Sequence, residues 1–130
     1  MVIPAEMRDQ IVAHARAGLP NEACGLIAGG DGRAERFFPA RSDEPTPYYY
    51  RIESRDQIRI MNEIDDAELD LIGIYHSHVS SPAYPSRTDV EQAFWPDAVY
   101  LIVSLAGGGA ELKGYLIADS AISEEPIEIA

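Results

Sequence analysis

Apolar positions recur along this chain in two rhythms, one helical and one nearly continuous, and their alternation predicts a mixed α/β fold. From Pro4 to Leu19, Met7, Ile11 and Ala15 fall four residues apart on one helical face, with Pro4 suited to the first turn and Gly18-Leu19-Pro20 to the stop. Cys24 to Ala28 is a short apolar run that ends in the turn-forming Gly29-Gly30-Asp31-Gly32, and Ala34 to Ala40 reads as the returning strand of a hairpin. Pro45 and Pro47 interrupt the pattern before Tyr48-Tyr49-Tyr50-Arg51-Ile52, which reads as a further strand. A second helix is predicted from Ser54, carrying Ile58, Met61 and Ile64 on one face.

The run Leu71-Ile72-Gly73-Ile74-Tyr75 lacks alternation, as a strand covered on both faces does, and His76 stands at its end. Val99 to Val103 has the same character, and Gly107-Gly108-Gly109 can turn the chain into a last strand through Leu112 to Ile117. The sum is five to seven strands and three helices, a mixed sheet with helices packed on it. No repeat, low-complexity tract or flexible linker divides the chain, so residues 1–130 are expected to form one domain.

Composition narrows the chemistry. Twenty-two acidic residues against nine Arg and one Lys, Lys113, leave a net charge of -12, which argues against a nucleic-acid partner. No apolar run approaches the roughly 20 residues of a membrane span, and charges interrupt the stretch from Met1 to Arg16, so a cytoplasmic protein without a membrane partner is expected. The one cysteine, Cys24, excludes an internal disulfide and a Cys-rich zinc site, and is expected to pack in the core. Any metal must then be held by imidazoles and carboxylates.

Such a set is present. His76-Ser77-His78 places two imidazoles at i and i+2, which share one face of an extended strand, and Asp89 follows eleven residues after His78. Two His and one Asp suit a catalytic zinc, one per chain, whose fourth position holds a water acidified to a pKa near 7. Val79 to Pro85, rich in Ser and Pro, should loop around the metal. Singly, each residue has a plainer role: a buried His is more often a satisfied core residue, and Ser86 with Asp89 is also a helix-capping pair. The joint spacing, His-x-His, seven residues, Ser, two residues, Asp, arises by chance in a chain of this length with probability on the order of 10⁻⁴.

That spacing resembles the JAMM signature of the MPN-plus (JAB) zinc metallopeptidases, and Asn21-Glu22-Ala23-Cys24-Gly25-Leu26 is similar to the family's upstream element carrying a glutamate. The resemblance implies a cytidine-deaminase-like α/β fold, His76, His78 and Asp89 on zinc, Glu22 as the general base, and Ser86 as the donor to the oxyanion. Across Glu22 to Gly25, Tyr75 to His78 and Ala83 to Val90 the chain is similar to standalone bacterial members that release cysteine from a small ubiquitin-like sulfur-carrier protein. The expected partner is therefore such a carrier or its C-terminal conjugate. Deubiquitinating members carry long insertions for which a chain of 130 residues has little room. Tyr48, Tyr49 and Tyr50 are weighed between lining a peptide groove and packing on neighbours.

Three rivals are considered. A RadC-like, nucleic-acid-associated JAB protein usually has His-Asn-His-Pro after a basic hairpin, whereas this chain has His76-Ser77-His78-Val79 and no such hairpin. A zinc deaminase needs His-x-Glu and Pro-Cys-x-x-Cys, which a single cysteine cannot supply. A non-catalytic MPN interaction module typically lacks the ligands, and here all of them are present.

Overall fold

The computed structural model describes residues 1–130. In chain order the elements are β1 (Val2–Ile3), α1 (Ala5–Ala17), β2 (Cys24–Gly30), β3 (Arg33–Ala40), α2 (Ser54–Asp66), β4 (Asp70–His78), α3 (Arg87–Glu91), β5 (Val99–Ser104), β6 (Glu111–Ala118), β7 (Ala121–Glu125) and β8 (Glu128–Ile129). All strands lie in one sheet in the order β7-β6-β5-β4-β2-β3-β1-β8. β4 sits at its centre, antiparallel to β2 and parallel to β5.

Each side of the sheet has its own core, which explains the continuous apolar runs. One cluster joins Ile3, Met7, Ile11, Ala15 and Ile27 with Tyr75, Leu101 and Val103 under α1. The other joins Leu26, Ile60, Ile64 and Ile74 with Tyr100 and Ile102 under α2. Successive residues of β4 and β5 thus enter opposite cores, as the pleat requires, and every position is buried from Gly73 to His78 and from Val99 to Ser104. Cys24 is buried in the second cluster, as expected.

The hairpin of β2 and β3 forms as read, but its strands run to Gly30 and from Arg33. The turn itself is Asp31-Gly32, with φ of 52° and 74°, left-handed values that Gly adopts freely and Asp tolerates. Gly25, mid-strand in β2, has a different duty: a Cβ there would stand 2.6 Å from the Phe38 carbonyl oxygen. The first helix buries Met7, Ile11 and Ala15 as predicted, with Pro4 just before it.

Three expectations need correction. Residues 48–52 form no strand, and only Ile52 pairs, in an isolated bridge to Ser42. Pro45 and Pro47 keep the segment a loop, tied instead by Arg51 to Asp43 and Glu44. The buried face of α2 is Asp56, Ile60 and Ile64, while Ile58 is 63% exposed. At about 100° per residue Ile58 lies roughly 200° from Ile60, so both cannot point inward. Finally, β1, β7 and β8 went unrecognised, giving eight strands instead of five to seven. These three are short or charged, and they form because neighbouring edges offer them partners.

Candidate metal centre

β4 ends at the site. His76 and His78 continue the face of Ile74, while Ser77 turns to the opposite side with Tyr75. After the 79–85 loop, Ser86 caps α3: its hydroxyl accepts the Asp89 N–H at 3.1 Å, and the Asp89 carboxylate accepts the Ser86 N–H at 2.9 Å. This reciprocal capping aims Asp89 back at β4. Its Oδ2 lies 3.1 Å from His76 Nε2 and 2.9 Å from His78 Nε2, and the two imidazole nitrogens are 3.2 Å apart. The three residues, all buried, form a group able to hold a metal ion.

Their surroundings fit that use. The His78 Nδ1 lies 2.8 Å from the Pro82 carbonyl, which can only accept, so Nδ1 carries a proton and Nε2 is the nitrogen left for a ligand bond. His76 is held differently: Tyr50 stacks on its ring at 4.5 Å, and its Nδ1 is buried without a partner. Burial pulls the His76 pKa down against the opposing pull of Asp89, favouring the neutral, ligating form. Burial also acts to lower His78, but its bonds to Asp89 and Pro82 prevail and raise it. Burial disfavours the Asp89 charge, yet the two imidazoles beside it and the hydrogen bond from the Ser86 N–H hold this carboxyl well below the usual range.

Glu22 sits between α1 and β2, two residues before the strand, and is 7% exposed. Its Oε1 is buried with no hydrogen-bond partner. Burial raises its pKa to about 8, partly countered by His78 and reinforced by Asp89, so this carboxyl belongs electrostatically to the same centre. Ser77 fastens the two segments: its Oγ accepts the Ala23 N–H at 2.8 Å, and its N–H donates to the Ala23 carbonyl at 3.0 Å. The structure therefore brings His76, His78, Asp89 and Ser86 together, with the Glu22 carboxyl in electrostatic reach of His78 and Asp89.

Sequence reasoning missed Ser77 and the stacking role of Tyr50. Only the position of Ser77 between two ligands hinted at its part. Of the three consecutive tyrosines, Tyr50 alone lines the apolar cleft of about 150 Å³ beside the site, with Leu26, Met61, Ile74, Trp95 and Tyr100 among its other walls. Tyr48 points to solvent, and the Tyr49 hydroxyl donates to Glu44 at 2.6 Å.

Residues 4–114 match the family model of prokaryotic homologs of the JAB domain. The chain belongs to this family. This JAB domain is 43% identical over 132 residues to the CysO-cysteine peptidase of Mycobacterium tuberculosis, covering 99% of this chain and 90% of the relative. It is 38% identical over 112 residues to the Desampylase of Haloferax volcanii, covering 81% of each chain. Among solved structures, a Desulfitobacterium hafniense protein superposes with a TM-score of 0.90 at 33% identity, covering 99% of this JAB domain and 92% of that chain. A structure of a JAMM metalloprotease-like zinc site gives a TM-score of 0.64 at 18% identity, over 100% of this chain and 97% of that one, a likeness of fold.

Proposed function

We propose that this protein is a zinc-dependent peptidase that hydrolyses the amide bond following the C-terminal tail of a small ubiquitin-like sulfur-carrier protein, with cysteine as the released group. The observation that carries it is the convergence of His76 Nε2, His78 Nε2 and Asp89 Oδ2, with a buried, unpartnered Glu22 carboxyl that feels the charge of His78 and Asp89. Two imidazoles and a carboxylate form a donor set that suits zinc and leaves one position open. Bound there, zinc supplies the acidity that makes a water nucleophilic near neutral pH.

The chain's own residues supply the rest. Glu22 takes the proton from the attacking water and hands it to the leaving amine, a task for which its buried carboxyl has an oxygen that no other group occupies. The Ser86 Oγ uses a lone pair on the Asp89 N–H, which leaves its own proton to donate to the oxyanion. Tyr50 and the Pro82 carbonyl keep the two imidazoles in place.

The substrate class is supported by the similarity to a CysO-cysteine peptidase along nearly the whole chain and by the similarity to a desampylase. A small-residue tail can reach the centre in extended form, drawing main-chain hydrogen bonds from the surrounding backbone. The test incubates the zinc-loaded protein with a carrier–cysteine adduct and follows loss of one cysteinyl residue by mass, with Glu22→Gln as control. Release by the wild type and not by the variant is the expected result. Cleavage of a carrier–protein conjugate with the cysteine adduct left intact would keep the peptidase and reject cysteine as its product.

A further inference from the structure

The loop of residues 79–85 supplies no ligand, yet three consecutive carbonyls in it are each taken by a buried donor. The Ser104 hydroxyl, at the end of β5, donates to the Ser81 carbonyl at 2.6 Å. His78 donates from Nδ1 to the Pro82 carbonyl at 2.8 Å. The Tyr115 hydroxyl, from β6, donates to the Ala83 carbonyl. Ser104 and Tyr115 are only 4% and 3% exposed, so neither hydroxyl reaches out to bulk water for a substitute partner.

The middle bond orients a metal ligand; that carbonyl also accepts the Tyr84 N–H at 2.8 Å, and the outer two bonds hold the peptide units on either side of it. Peptide units are planar and the Pro82 ring fixes its φ, so clamping the carbonyls on either side leaves the Pro82 carbonyl little room to swing. The clamps are themselves well founded. Ser104 lies opposite His78 in the parallel β4–β5 ladder, the Leu105 N–H donates to the His78 carbonyl at 2.9 Å, and the Ser104 Oγ also accepts the Ala106 N–H at 3.2 Å. The Tyr115 ring meets Tyr84 edge-on at 5.4 Å, fixing the direction of its hydroxyl.

We propose that Ser104 and Tyr115 are positioning residues for His78: by holding the 79–85 loop they set the Pro82 carbonyl that keeps Nε2 of this imidazole free and aimed at the metal. The proposal rests on the metal-site assignment made above and is independent of which substrate is cut. It also distinguishes the two imidazoles, since His76 is held by the Tyr50 ring with no hydrogen bond to its Nδ1.

Tyr115→Phe removes one hydroxyl and keeps the ring, and Ser104→Ala removes the other clamp. Zinc affinity is measured by chelator competition well below the melting temperature, beside the melting temperature of the metal-free protein and the visible absorption of the cobalt(II)-substituted protein. Loss of groups that orient a ligand typically weakens metal binding about 10- to 100-fold. Each variant is expected to bind zinc that much more weakly and to shift the cobalt bands. The double variant should lose less than the product of the two, because both clamps act through one carbonyl. Ile117→Val, buried in β6 and with no polar group to offer the loop carbonyls, should lower the metal-free melting temperature and leave zinc affinity unchanged. Wild-type affinity and cobalt spectrum in both Tyr115→Phe and Ser104→Ala, whatever their melting temperatures, would overturn the positioning role alone. Failure of the wild type itself to bind stoichiometric zinc would overturn the metal site and this proposal with it.

Discussion

At the scale of single residues, Glu22 carries two separable consequences. In the proposed catalysis it would act on the water and not on the metal, so Glu22→Gln should keep stoichiometric zinc while turnover falls about 10²- to 10⁴-fold. Metal analysis beside a rate assay checks both halves, and wild-type-like turnover would remove Glu22 from the mechanism. In the metal-free protein its pKa rises from 4.5 to about 8, so between those values the folded chain keeps a proton that the unfolded chain has released. The stability linked to this proton is therefore complete below about pH 4.5 and is lost as pH rises through about 8. Gln at this position does not titrate. The melting temperature of metal-free Glu22→Gln should accordingly gain on that of the wild type as pH is raised across that window. Ser86→Ala removes a helix cap of about 0.5 to 2 kcal/mol and, in the proposed mechanism, an oxyanion donor as well. Melting temperature and rate are both needed, and the rate should fall further than lost stability explains.

At the scale of elements, α2 is held by a carboxylate as well as by its apolar face. Asp56 accepts the Arg41 N–H at 2.8 Å, joining the end of β3 to the first turn of the helix. That backbone bond, together with the Arg41 side chain, lowers the Asp56 pKa against the effect of burial. The resulting stability is present above the ordinary carboxyl pKa of 3.8 and is lost as pH falls through the lower folded value. Asp56→Asn should therefore melt below the wild type at neutral pH, with the difference narrowing as the solution is acidified below about pH 4. On the same helix, Ile60→Ala should cost about 2 to 5 kcal/mol because it empties a buried site. Ile58→Ala, at an exposed position, should stay within about 0.5 kcal/mol. Equal losses at the two positions in denaturant unfolding would contradict the observed helix orientation.

At the scale of the whole molecule, the proposed metal ligands come from the end of β4 and the start of α3, so a bound ion should stabilise the fold globally. Zinc in 100-fold excess over its Kd should add about 2.7 kcal/mol. The rise in melting temperature should vanish in His76→Ala and His78→Ala and persist in Glu22→Gln. Much of this assembly was legible in the sequence, because it is encoded at short range. The His76/His78 pair follows from strand alternation, Asp89 from its joint spacing with the two His and Ser86, the β2–β3 hairpin from its Gly-rich turn, and β4 and β5 from runs apolar on both faces. What only tertiary structure decided concerns partners remote in the chain. Tyr50 meets His76, Ser77 meets Ala23, Tyr115 meets Ala83 and Asp56 meets Arg41 across packed elements, with no local spacing to announce them. The short strands Val2–Ile3 and Glu128–Ile129 pair with each other, and the charged Ala121–Glu125 takes its partner from β6. A strand with so little apolar pattern of its own exists because another strand's unpaired N–H and C=O groups need a neighbour, and which neighbour arrives is settled only when the chain closes.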